Sequence, residues 1–148
     1  MKSKDITMAR KWLESAEYIE QEIAALRYEQ SRIISKGLVS APFSSAKLNT
    51  CAASDNATER RNIDYAEYSK RINEYVQNLC TLKNDIHSAI EAIPKAAYRI
   101  LLYERYINHK NFTEISFILN YSYDHVIKDL HPAALRAVVV PEKYKENC

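Results

Sequence analysis

The chain has 148 residues, 47% hydrophobic and 27% charged, and carries a formal net charge of +2. This composition excludes disorder as the dominant state, and no apolar run approaches the length needed to span a bilayer. Gly37 is the only glycine, which favours helices over sheets and tight hairpins, since those lean on glycine for positive φ.

Cys51, Cys80 and Cys148 are an odd set with no CxxC pair, so they read as free thiols of a reducing cytoplasm rather than as a disulfide framework or a zinc site. The first residues, MKSKDITMARKWLESAEY, are charged throughout and lack the apolar centre of a signal peptide. A cytoplasmic protein without membrane contact is expected.

Residues 5–35 place Ala9, Trp12, Ala16, Ile19, Ile23, Leu26 and Ile33 at alternating steps of three and four, with Gln30 in the remaining slot. That is the spacing of one helix stripe and of a coiled-coil seam. Glu14, Glu17, Glu20, Glu22, Arg27 and Arg32 lie between them as a solvated face. Residues 36–56 hold Gly37, Pro42 and many small polar side chains without a period, and read as a long connection. From about Ala57 the period resumes through Tyr65, Tyr68, Ile72, Tyr75, Leu79, Leu82, Ile86, Ala89 and Ile93. This second helix is expected to pair antiparallel with the first, or with a second copy of the chain in a homodimer. Pro94 ends or kinks it. Residues 1–93 therefore read as a helical hairpin and 94–148 as a separate domain.

After Pro94 the pattern changes to short helices. Residues 95–107 place Tyr98, Leu101, Leu102, Arg105 and Tyr106 at helical spacing, and Asn108 to Asn111 form a turn. Phe112–Leu119 reads as a helix with Ile115, Ile118 and Leu119 inward. Asn120 can take the left-handed conformation that ends it, and Ser122 can cap the helix that follows. Ser116 is small where two helices must approach, and Tyr121, Val126 and Leu130 close a small core. The spacing is that of a helix-turn-helix, in which the N-terminal residues of the second helix are free to enter a major groove.

The segment LLYERYINHKNFTEISFILNYSYDHVIKDLHPAAL resembles region 4 of sigma-70-type factors. It is closer still to phage-encoded transcriptional activators of the late-operon and autolysin-regulator type. The likeness is carried by Leu101, Leu102, Arg105, Tyr106 and Ile107, then Phe112, Glu114 and Ile115, then Asn120, Tyr121, Ser122, Val126, His131, Ala134 and Leu135. It covers about a quarter of the chain. It implies an all-α fold, binding of double-stranded promoter DNA and contact with RNA polymerase. Relatives usually carry several basic residues on the recognition helix, whereas this chain has only Lys128 there. Pro132 is expected to end that helix near His131 or to begin a short final helix.

The residues expected to face DNA are Lys110, Ser122, Tyr123, Asp124, Ile127, Lys128, His131 and Arg136. Lys110, Lys128 and Arg136 would anchor phosphates, and the start of the recognition helix would read a few base pairs. Asp124 could accept from a cytosine amino group, although an acidic residue in a first turn more often complements the helix dipole. Arg105 is expected to support the fold or to contact phosphate.

From Pro94 onward eight basic residues stand against six acidic ones, while the first 93 residues carry thirteen of each. An excess of two permits nucleic-acid binding without by itself indicating it. His109, His125 and His131 lack the spacing of a metal site, and the carboxylate pairs Glu17 with Glu20 and Asp64 with Glu67 lack a histidine partner or a pocket signal. Neither a cofactor nor catalysis is expected. Two rival readings remain: a phage DNA-packaging subunit, in which a helix-turn-helix and a hairpin build a ring, and a protein-interaction module that has lost DNA binding.

Overall fold

The computed structural model describes the backbone of residues 2–40 and 51–147 and the side chains of 3–35 and 57–147. Every regular element among them is helical. Helix α1 spans Lys2–Ser40 and α2 spans Cys51–Glu91. The predicted connection of 36–56 is therefore shortened at both ends. One glycine within α1 costs only about 1 kcal/mol relative to alanine, too little to stop a helix of this length. The rest of that connection, 41–50, lies outside the described residues.

Two compact units divide the chain. One is Ile19–Leu79, and the other joins Met1–Tyr18 to Cys80–Cys148. The first is the antiparallel hairpin. Gln30, the polar residue in the apolar stripe of α1, donates to Ser69 Oγ at 2.6 Å and to the Tyr65 carbonyl at 3.2 Å on α2. Ile23 and Ile72 are buried, and Ile19, Leu26, Ile33, Tyr68, Tyr75 and Leu79 are half-buried, as the stripes require. The Tyr65 side chain is 40% exposed, more open than the rest of its stripe, while its carbonyl accepts from Gln30 in the seam.

The other unit is larger than the predicted domain of 94–148. It also takes in the first turns of α1 and the last turns of α2. Trp12, 1% exposed, packs on Tyr144 with ring centroids 5.5 Å apart. The Tyr144 hydroxyl donates to Asp85 at 2.6 Å, and Lys143 pairs with the same carboxylate at 2.7 Å. The Lys143 ammonium, then the Tyr144 hydroxyl, hold the Asp85 carboxyl below its ordinary range. A short helix near the C-terminus, Glu142–Lys145, thereby ties itself to both long helices. The core of this unit includes Trp12, Leu13, Ile86, Ile90, Leu101, Leu102, Ile115, Val126 and Leu135. Leu13 and Ile90 lie beside the predicted stripes; within this unit the long helices bury a wider face than a two-helix seam needs.

Helix α2 ends just before Pro94, and the Arg99 guanidinium donates to the carbonyls of Ile93 and Pro94 at 2.6 and 2.9 Å. Those carbonyls have no helical partner, because proline brings no N–H and breaks the helical path.

Candidate nucleic-acid interface

Helix α3, Ala96–Leu102, runs on as a widened turn over Tyr103–Ile107, closed by the Asn108 N–H on the Tyr103 carbonyl at 2.9 Å. His109 then turns the chain with φ 56°, a left-handed conformation that histidine enters more readily than most residues. Arg105 is absorbed here. It donates to the Lys110 carbonyl at 3.2 Å, and its guanidinium lies 4.4 Å from the Phe112 ring centre. It supports the fold.

Helix α4, Phe112–Leu119, begins with a reciprocal cap: Asn111 Oδ1 accepts from the Glu114 N–H at 2.9 Å, and Glu114 accepts from the Asn111 N–H at 3.0 Å. The N-x-x-E spacing is a sequence signature of this cap, and it was readable in Asn111 and Glu114. The helix ends at Asn120, which takes φ 56° and ψ 38°, as its side chain allows. Ser122 caps the next helix by accepting from the His125 N–H at 3.2 Å.

That next helix starts at Tyr123–His125 (α5), widens over Val126–Leu130 and continues as α6, His131–Ala137. Pro132 sits in the first turn of α6. Proline lacks an N–H and its ring crowds the carbonyl four residues back, so the widened turn just before it lets the chain pass without a break. Val126 and Leu130 face the core, 0% and 4% exposed. Ile115 and Ser116 of α4 are buried with them, whereas Ile118 and Tyr121 are 45% and 43% exposed and do not close the core. The Tyr121 ring leans on His125 instead, 5.0 Å between centroids.

The expected DNA-facing residues separate into groups. Ser122, Tyr123, Asp124 and Lys128 share the exposed first turns of the helix that begins at α5, and Asp124 and Lys128 pair at 3.3 Å across one helical turn. Ile127 is half-buried below them, and Arg136 is exposed on α6. Lys110 pairs with Glu104 at 2.6 Å, and that ammonium is the main reason the Glu104 carboxyl is held below its ordinary range.

His131 is the correction. It is 5% exposed, and Nε2 shares a 2.8 Å hydrogen bond with the Tyr106 hydroxyl. The Phe112 ring meets it edge-on at 4.9 Å. Burial, reinforced by the positive charges of Arg10 and Arg105, pushes His131 down to about 4, and burial pushes Tyr106 up to about 12. Burial and the bond to Tyr106 make His131 an anchor of the core rather than part of the exposed face. In an ideal helix His131, three residues after Lys128, would share its exposed face; the widened turn over Val126–Leu130 turns it inward instead. The remaining histidines are engaged elsewhere; His125 pairs with Asp129 at 3.0 Å.

The residue types missed in the sequence are apolar. Phe117 is 77% exposed, and with Ile118, Tyr121 and half-exposed Tyr123 it adds uncovered apolar surface to α4, the turn and α5. Its signal was the phase of α4: with Ile115 and Ser116 inward, Phe117 points outward. No helix among the described residues is long and apolar enough to cross a membrane, and none of their His, Cys, Asp and Glu side chains form a group suited to a metal ion. In comparisons with known proteins, no family model, curated protein or solved structure matches this chain.

Proposed function

We propose that this protein is a DNA-binding transcription regulator of phage or prophage type, acting through the helix-turn-helix of α4 and α5 on promoter DNA. The observation that carries this reading is the turn itself: left-handed Asn120, the Ser122 cap and the exposed first turns that hold Tyr123, Asp124 and Lys128. A capped helix with exposed N-terminal side chains is what a major-groove reader needs. Lys128, Lys110 and Arg136 supply phosphate contacts, the first two by exchanging carboxylate partners for phosphates. The resemblance to sigma region 4 adds contact with RNA polymerase to the proposal.

A second reading, a protein-interaction module, is favoured by one specific observation. Phe117, Ile118, Tyr121 and Tyr123 expose apolar surface, while the charges between Ser122 and His131 are two carboxylates against one ammonium. Exposed apolar patches mark protein contacts more often than nucleic-acid contacts.

A salt titration of the full chain on random and promoter duplexes separates the two. The DNA reading expects log affinity to fall linearly with log salt, with a slope of about 0.9 per phosphate neutralised. Lys128→Ala should lower that slope by about one and weaken binding evenly across sequences. Absence of binding even at low salt would leave the protein-interaction reading in its place.

A further inference from the structure

We propose that the groove along the helical hairpin, lined by Ile23, Ala24, Val76 and Leu79, is the seat of a second copy of this chain. The two copies would pack groove to groove and antiparallel, making a four-helix core from two hairpins.

The first argument is burial. Among the residues whose side chains are described, twenty hydrophobic ones are buried, and of these only Ile23 and Ile72 belong to the Ile19–Leu79 unit. Ile19, Leu26, Ile33, Tyr68, Tyr75, Val76 and Leu79 stay half-wet, and Tyr28, Ile34, Ile63 and Tyr65 are exposed. Two helices can cover only one face of each other, and helical stability in proteins comes mostly from packing an amphipathic face. A second pair of helices supplies the missing cover.

The groove itself selects the partner. It has a volume of about 400 Å³ and runs between α1 and α2, with Glu20 and Arg27 on its α1 side. Opposite charges lie seven residues apart, about 10 Å along the helix axis at 1.5 Å per residue. Midway between them stand Ile23 and Ala24. A two-fold axis through that midpoint sets Glu20 of each copy against Arg27 of the other, so the charges match only when the helices run antiparallel. An isologous interface requires this self-complementarity. Ala24 is exposed and small, which lets two α1 helices approach closely at the axis.

The test is the mass of the full chain by light scattering and sedimentation over a range of concentrations, with circular dichroism to check each variant's helix content. The expected species is a dimer. Glu20→Arg and Arg27→Glu should each raise its dissociation constant roughly tenfold, because each reversal turns two symmetric attractions into repulsions. The double variant, which swaps the charges, should restore the dimer. Ala24→Cys, in a background with Cys51, Cys80 and Cys148 changed to serine, should form a symmetric disulfide on oxidation. A monomer at all concentrations would overturn the proposal. So would a larger ring, or a dimer that neither charge reversal weakens and Ala24→Cys does not cross-link.

Discussion

The two compact units use the same pair of helices in opposite ways. In Ile19–Leu79, α1 and α2 meet along one stripe each, and the polar Gln30 sits in the seam with bonds to Ser69 and Tyr65. In the other unit the same helices bury Trp12 and Leu13 together, and Ile86 and Ile90, in a core shared with Leu101, Leu102, Ile115, Val126 and Leu135. Stripe spacing is alike in both; the number of packing neighbours is not. A helical pattern states which face is apolar and leaves open how completely that face is covered.

If the helix-turn-helix depends on the first turns of α1, Trp12→Ala should have the largest effect. Truncating a buried tryptophan typically costs about 3–5 kcal/mol. The amides of Val126 and Leu130 should lose hydrogen-exchange protection although they lie far from Trp12 in sequence. Trp12→Phe should recover much of the loss, since it keeps an aromatic ring and removes an indole N–H that has no hydrogen-bond partner among the described residues. Unchanged protection in Trp12→Ala would restore the boundary at Pro94.

His131 sharpens the contrast through pH. Its folded value of about 4 lies below the ordinary 6.5, so between the two the unfolded chain holds more protons. Its contribution is therefore complete above about 6.5 and is lost as the pH falls toward 4, by up to about 3 kcal/mol. Thermal midpoints across that window should fall for the native chain and fall less for His131→Gln, an uncharged side chain that can still bond Tyr106. Equal pH dependence in both would mean that His131 is not held neutral in the core.

The smallest effect is expected in the hairpin. Gln30→Ala removes two hydrogen bonds at a half-exposed seam and should cost about 1 kcal/mol or less. Its signature is location: exchange should rise within 19–79 and stay unchanged at Val126. A loss of several kcal/mol would show that the hairpin is more deeply covered in solution than two helices allow.

Much of the candidate site was legible. Asn120 and Ser122 act through their own backbone and their immediate neighbours, so the left-handed turn and the cap follow from residue type and spacing. Val126 and Leu130 follow from the four-residue period. His131 and Tyr121 were not legible in the same way. Each lies near a boundary between faces, where the widened turn over Val126–Leu130 or the exit from Asn120 rotates the side chain away from the phase of an ideal helix. A histidine in that position is compatible with DNA contact or with burial, and only the presence of Tyr106 and Phe112 beside it decides for burial.

The sequence by itself determined the helical class, the apolar stripes of α1 and α2, the stop before Pro94 and the turn between α4 and α5. These depend on interactions within a few residues, where φ preferences, caps and periodicity act. Tertiary structure alone decided that Met1–Tyr18 belongs with the helix-turn-helix, that Arg105 bonds the Lys110 carbonyl, and that His131 is buried. Those outcomes depend on which surfaces meet across tens of residues, and burial is a property of the neighbours a side chain finds rather than of the side chain itself.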